Sequence, residues 1–348
     1  MPFQYKIFFV TILFVLFIVI TQCVAAGKSL KKTDFRVESY QINGVKQYIS
    51  VCDSRAHEGS PVILFLHGGP GSANLSLIKT RLPQLDMNAI VVNWDQRGAG
   101  KTFRLFESKK NLNIQQFISD THELIQILKQ KYKVDQILLM GFSWGSALGL
   151  LVSHHYPEDI KCFISIAQFV NGKEGEQISL DYVKSEAQKR NDMKAIKKLQ
   201  KIKYDFTNCK ELYDNTMKQR KYLLKYGGIY QTRTSYQHEA SSIWNSPAYS
   251  FADFLLWPLG SARSLKTMWC SVVHLDFFKQ VPQLNVPVVF ICGRFDMNNP
   301  VSLTEEYFNF LNAPKGKELI IIDDSAHSIF WDRPGELENK IVEIVSRF

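Results

Sequence analysis

Several short runs of this chain are apolar at every position, and that pattern leaves few folds open. PVILFLHG (61–68), AIVVNWD (89–95), QILLMGF (136–142), KCFISIA (161–167) and VPVVFICG (286–293) are rich in β-branched residues, and QYISV (47–51) and KELIIID (317–323) join them. A strand with one wet face alternates apolar and polar residues, whereas a strand apolar throughout is covered on both faces. Such strands, separated by helical stretches, build a mostly parallel sheet flanked by helices. IQQFISDTHELIQILKQKY (114–132) reads as one of those helices, with Ile114, Phe117, Ile118, Leu124, Ile125 and Leu128 on its apolar face. With 348 residues and 45% hydrophobic content, the chain can fill a core of that size.

The rhythm stops between Phe169 and Val286, where Lys-rich helical sequence gives way to an aromatic part carrying Trp244, Trp257 and Trp269, with no comparable strand. The simplest organisation is an α/β core (28–169 and 286–348) interrupted by a helical cap insertion (170–285), with 1–27 set apart; Gly227 and Gly228 are a candidate hinge in the cap. Charge is concentrated there too. Of a net charge of +9, the segment Lys184 to Lys225 holds thirteen Lys or Arg against five Asp or Glu. Lys189, Lys197, Lys201 and Lys203 are scattered around the helix, which favours a solvated face over a membrane-facing stripe. No motif supports nucleic-acid binding.

Residues 1–27 have a different character. Lys6 precedes IFFVTILFVLFIVI (7–20), and TQCVAAG follows, with Ala25 and Ala26 where a leader peptidase cuts. Fourteen residues, apolar but for Thr11, fall short of the roughly 20 that a membrane span needs, so the segment reads first as a cleaved signal peptide and the protein as exported. Extension through Ala26 makes the length adequate, and Lys28, Lys31 and Lys32 oppose export orientation, so an uncleaved anchor over 7–26, with membrane association, is the second reading. The remaining cysteines, Cys52, Cys162, Cys209, Cys270 and Cys292, are singly spaced and odd in number. That argues against a zinc site and against a complete disulfide framework. Cys162 and Cys292 are expected to be buried.

Chemistry enters at GFSWG (141–145), where a buried strand meets a helical pattern. Gly141 and Gly145 flank Ser143 in the G-x-S-x-G spacing of a strained strand-to-helix turn, which lifts a serine hydroxyl above the sheet edge and aims the next helix N-terminus at an incoming carbonyl. The alternative is an ordinary helix N-cap serine. A nucleophilic serine needs a base and the base an orienting acid. His327, in SAHS after the strand KELIIID, and Asp296, in GRFD after VPVVFICG, complete the order Ser, Asp, His expected when all three leave the same edge of one sheet. Oxyanion donors are available in the Trp144 amide and in HGGPG (67–71), through Gly69 or Gly68.

FLHGGPGSA (65–73), NWDQRGAGKT (93–102), GFSWGSALGL (141–150) and GRFDMNNP (293–300), with SAHS (325–328), together resemble the proline iminopeptidase (prolyl aminopeptidase) family of α/β-hydrolases, over a stretch running from about Gly44 to the C-terminus. The resemblance implies an α/β-hydrolase fold with a helical cap, a Ser143–His327–Asp296 triad, an oxyanion hole of the Gly69 and Trp144 amides, and an Arg97 that ties loops together. It implies release of an N-terminal residue, preferably proline, from small peptides by acyl transfer, with no metal or organic cofactor. Acidic cap residues of that family grip the free amine, often from a Trp-Glu pair. Here Trp244 is followed by Asn245, Trp257 by Pro258 and Trp269 by Cys270. Glu239 is the substitute, with Glu174, Glu176 and Asp181 behind it. Phe142 stands where the family's elbow has glycine, and Ala99 where it often has cysteine. Trp244 and Trp257, with Phe251, Phe254 and Leu255, either wall a pocket for a small acyl group or pack the cap. The missing pair keeps a serine esterase, or another hydrolase of a non-peptide small molecule, as the second reading. An inactive binding module with the same fold is a third, opposed by the complete triad.

Overall fold

The computed structural model describes residues 35–53, 59–106 and 108–348. Eight strands form one sheet: β1 (Arg36–Ile42), β2 (Val45–Cys52), β3 (Val62–Leu66), β4 (Ile90–Asp95), β5 (Ile137–Phe142), β6 (Ile160–Ile166), β7 (Val288–Gly293) and β8 (Lys317–Ile322). Their order is β1-β2-β4-β3-β5-β6-β7-β8. The β1–β2 and β2–β4 pairs are antiparallel, and every pair from β4 to β8 is parallel. This is the mostly parallel sheet expected from the apolar runs. Every residue of β3, β4 and β7 is buried, because helices cover both faces of the sheet's middle. Neighbours along one strand serve opposite cores: Leu64 and Val92 pack toward Phe117, Leu128 and Leu148, whereas Ile63, Phe65 and Val91 pack toward Ile78, Leu337 and Ile341.

Helices follow in chain order as α1 (Leu77–Arg81), α2 (Ile114–Tyr132), α3 (Trp144–His155), α4 (Gly172–Lys189), α5 (Met193–Leu199), α6 (Cys209–Lys225), α7 (Gln237–Trp244), α8 (Phe251–Val273), α9 (Phe277–Gln280), α10 (Val301–Phe310), α11 (Ile329–Asp332) and α12 (Pro334–Val345). Helix α2 spans the stretch read from its periodicity; Asn113 caps its start by accepting from the Gln116 amide, and Lys133 ends it in the left-handed conformation. Strand β1 was not legible as an apolar run because it is an exposed edge strand. Its hairpin turn is nevertheless an Asn-Gly pair, with φ of 44° at Asn43 and 75° at Gly44, the geometry that dipeptide favours.

From β6 to β7 the chain runs through α4 to α9. In this region Cys209 and Cys270 form a disulfide, a pairing not read from the sequence, joining the first residue of α6 to the last turn of α8. Cys52, Cys162 and Cys292 are buried thiols, and burial pushes Cys162 and Cys292 up to about 12. The expected leader or anchor lies in residues 1–34, outside the described residues; among the described residues no helix is long and apolar enough to cross a membrane.

The α7–α8 arm is fastened to the core through several polar contacts. Tyr249 donates its hydroxyl to Asp95 at 2.9 Å and accepts from the Leu75 amide at 2.9 Å. Lys101 pairs with Asp253, the Trp257 indole donates to the Ala73 carbonyl at 2.8 Å, and Ser264 donates to the Gly98 carbonyl at 2.9 Å. Beneath this seam Arg97 is fully enclosed and grips Asp120 through Nε and Nη2 at 2.7 and 2.9 Å, while Asp120 also accepts from Gln47 and Asn43. Arg97 thereby ties the loop after β4 to α2 and to the β1–β2 turn. Replacing one partner of a buried pair strands the other charge. Asp120→Ala is expected to cost about 3–5 kcal/mol, read as a lower midpoint in denaturant unfolding.

Candidate active site

The β3, β5, β7 and β8 strands run parallel, so their C-terminal ends deliver Gly68–Gly69, Ser143, Asp296 and His327 to one edge of the sheet. Ser143 occupies the one residue between β5 and α3 with φ 55° and ψ −115°, a conformation an L-residue adopts only under constraint. The constraint is visible in its neighbours. A β-carbon at Gly141 would lie 2.2 Å from the Gly145 carbonyl oxygen, and one at Gly145 would lie 2.0 Å from the Leu66 carbonyl oxygen. Strand β5, helix α3 and strand β3 thus meet backbone to backbone, and the turn between them has no room to relax.

Three side chains form a continuous hydrogen-bonded line. Ser143 Oγ lies 3.0 Å from His327 Nε2, and His327 Nδ1 lies 2.8 Å from Asp296 Oδ2. The other Asp296 oxygen accepts from the backbone amides of Asn298 and Asn299, both at 2.8 Å, which aims Oδ2 at the imidazole. With Nδ1–H donating to Asp296, the His327 lone pair on Nε2 faces the serine hydroxyl. Asn298 Nδ2 approaches the same nitrogen at 3.2 Å, a contact not read from the sequence. Asp323 and Asp324 point elsewhere, in ion pairs with Arg294 and Arg333. Phe142 packs its ring on His327 with centroids 5.1 Å apart and on Phe330 at 5.3 Å, so the residue that replaces glycine in the elbow braces the imidazole.

The two loops expected to carry oxyanion donors lie against the serine. Trp144 opens α3, so its amide belongs to the helix N-terminus whose N–H groups have no partner within the helix. A β-carbon at Gly68 would sit 3.3 Å from Ser143 Cβ, and Gly69, with φ 116°, carries the chain on through a cis bond to Pro70. His67 holds this loop to the floor: its Nδ1 donates to the Gly68 carbonyl at 2.8 Å, and its Nε2 accepts from the Gln96 amide at 3.3 Å. Burial drops its pKa to about 4, so it is neutral and these roles are fixed. Gln96 links the floor onward, donating to the His67 carbonyl and accepting from the Trp144 indole. Burial likewise pushes Asp95 up to about 7, against the amide of Lys101 and the hydroxyl of Tyr249.

Glu239, on α7, turns its carboxyl inward. Tyr230 donates its hydroxyl to Glu239 Oε1, and the Ser328 hydroxyl faces the same group. Burial raises the Glu239 pKa, while Tyr230 and the charges of His327 and Arg233 pull it back. Tyr230 could not have been singled out from sequence, since it lies in a loop without periodicity. The other acidic candidates go elsewhere. Glu176 is buried in an ion pair with Arg220, Glu174 accepts from Asn171, and Asp181 accepts from Gln177. Trp257 lies over the loop after Gly71 through its bond to Ala73, whereas the Trp244 ring packs on Phe254 and Phe251 at 4.4 and 6.2 Å within the cap. Among the described residues no group of three or more His, Cys, Asp or Glu is placed to hold a metal ion.

Comparison with known proteins agrees with this architecture. The alpha/beta hydrolase fold family matches residues 61–334. The probable aminopeptidase YbaC of Bacillus subtilis (strain 168) is 26% identical over 323 residues, covering 89% of this chain and 96% of that protein. A proline iminopeptidase of Heyndrickxia coagulans is 28% identical over 285 residues, covering 80% of this chain and 88% of its own. The crystal structure of a proline iminopeptidase from Mycobacterium smegmatis superposes with a TM-score of 0.64 at 13% identity, covering 90% of this chain and 98% of that one, a likeness of fold.

The elbow's dependence on bare backbone can be tested at one atom. Gly145→Ala places its methyl 2.0 Å from the Leu66 carbonyl oxygen. Because only backbone movement relieves that contact, the substitution is expected to cost about 3 kcal/mol or more in denaturant unfolding.

Proposed function

Because the chain belongs to the alpha/beta hydrolase fold family, we propose that it is a serine hydrolase, and specifically an aminopeptidase that releases proline or another small N-terminal residue from short peptides. The observation that carries the reading is the Ser143–His327–Asp296 line, at 3.0 and 2.8 Å, on a strained turn at a helix N-terminus. In this mechanism His327 Nε2 takes the Ser143 proton as the oxygen attacks the substrate carbonyl, and Asp296 stabilises the imidazolium that results. The oxyanion rests on the Trp144 and Gly69 amides, each such donor contributing about 3–4 kcal/mol in the transition state. His327 then gives its proton to the leaving amine, and water repeats the cycle to free the acyl group from Ser143.

Peptidase specificity draws support from Glu239. A carboxylate in open water discriminates poorly because solvent and salt screen it, but this one is half-buried, held by the Tyr230 hydroxyl and close enough to His327 to feel its charge. Once ionised it is suited to an ammonium group carried on the carbon next to the scissile carbonyl. The relatives named as aminopeptidase and proline iminopeptidase point the same way.

Release of p-nitroaniline from proline, alanine and leucine p-nitroanilides, set beside p-nitrophenyl acetate and butyrate, tests the reading. Proline or another small anilide is expected to dominate, and Ser143→Ala to lower kcat by roughly 10⁴-fold or more. Turnover of the esters alone would replace the peptidase reading with an esterase one. Glu239→Gln is expected to raise KM for anilides by about tenfold or more, as loss of a charge-assisted hydrogen bond does. Since the Glu239 pKa is raised, amine binding should strengthen as pH rises through that shifted value, and the KM limb that reports it should be flat in Glu239→Gln.

A further inference from the structure

Within electrostatic reach of Glu239, two arginines crowd one indole. Arg81 of α1 and Arg233 of the loop before α7 place their guanidinium carbons 4.3 and 5.6 Å from the Trp331 ring centre. Each uses one N–H on a backbone carbonyl: Arg81 Nε donates to Phe330 at 2.9 Å, and Arg233 Nη1 donates to Trp331 at 2.9 Å. Among the described residues neither is in an ion pair, although Arg233 lies near enough to Glu239 to pull its pKa down, whereas Arg97, Arg220, Arg294, Arg333 and Arg347 each hold a carboxylate. The carboxylate adjacent to Trp331 is occupied, since Asp332 accepts from the amides of Gln231, Thr232 and Ala326 and from the Thr232 hydroxyl. His238 adds a third basic group, and its pKa is lowered by burial and by the charges of Arg233 and Arg81.

The two guanidiniums, pinned by carbonyls and a shared ring, repel each other, and an anion between them would offset that repulsion. Their fixed orientation matters as much as their charge, because planar forks match a carboxylate bidentately. Neighbouring residues tie the cluster to the candidate site. Phe330, whose carbonyl Arg81 grips, packs on Phe142 beside Ser143, and Glu239 feels both His327 and Arg233.

We propose that Arg81 and Arg233 form a carboxylate-binding site that takes the free α-carboxylate of a short peptide whose amine is held at Glu239. The inference rests on the aminopeptidase reading. It makes the enzyme selective for di- or tripeptides ending in a free acid, with the cap seam measuring peptide length between one anionic and one cationic anchor.

The test is calorimetric titration of full-length Ser143→Ala protein with Pro-Gly and Pro-Gly-Gly, each as the free acid and as the C-terminal amide. The acid is expected to bind about tenfold tighter than the amide at one of the two lengths, and the gap to close to about twofold or less in Arg81→Gln and, separately, Arg233→Gln. Arg81→Lys, which keeps the charge but not the fork, is expected to retain part of the gap. An acid-to-amide ratio near one at both lengths overturns the proposal, as does a gap that survives both glutamine substitutions, the arginines then serving only to pack Trp331. Wild-type hydrolysis of proline p-nitroanilide, which carries no carboxylate, separates the two readings. Anilide turnover without an acid preference removes this site and leaves the peptidase. An acid preference without anilide turnover leaves the site and removes the peptidase, and failure of both removes both.

Discussion

Two missing β-carbons hold this structure in its working form. At Gly141 and Gly145, strand β5, helix α3 and the end of strand β3 touch through bare backbone, with carbonyl oxygens where a methyl would otherwise sit. That contact leaves Ser143 no ordinary conformation and lifts its hydroxyl toward His327 at the strand ends. It also draws the Gly68–Gly69 loop against the serine. The fully buried strands on either side supply the rigidity: a strained turn persists only when its surroundings over-determine it, and β3 and β5 are locked on both faces by two cores.

Upon that edge the helices between β6 and β7 are fastened by polar contacts as well as by grease. Tyr249 joins Asp95 to the Leu75 amide, Lys101 meets Asp253, and Trp257 reaches Ala73. Each bond lands on a loop that also carries part of the candidate site, so the position of α7 and α8 sets how far Glu239 stands from Ser143. The Cys209–Cys270 bond closes a loop between residues 61 apart and limits how independently α6 and α8 can move. The outcome is a Glu239 carboxyl within electrostatic reach of both His327 and Arg233.

Much of this was legible in the sequence because burial on both faces leaves a crude signature. Strands β3 to β7 could be read from unbroken apolar runs, α2 from its periodicity, and Ser143, Asp296 and His327 from their places just after strands. Strand β1 was missed because an edge strand facing water carries no such run, although Asn43-Gly44 marked its turn. Pairing of Cys209 with Cys270 was invisible for a different reason: it depends on how two helices distant in sequence pack. The same limit applies to Tyr230, Asn298 and Arg81, whose importance arises from long-range neighbours. Trp244, for which the sequence left both a pocket wall and cap packing open, has its ring on other cap residues.

The central claim is that Ser143 is the nucleophile, and covalent trapping tests it most directly. The full chain would be treated with a fluorophosphonate, with and without competing prolinamide, and the modified residue located by peptide mass spectrometry. The account predicts a single adduct on Ser143, formed in step with loss of hydrolytic activity and slowed by the competitor. An adduct on any other residue, or full activity after Ser143 has been modified, would contradict it.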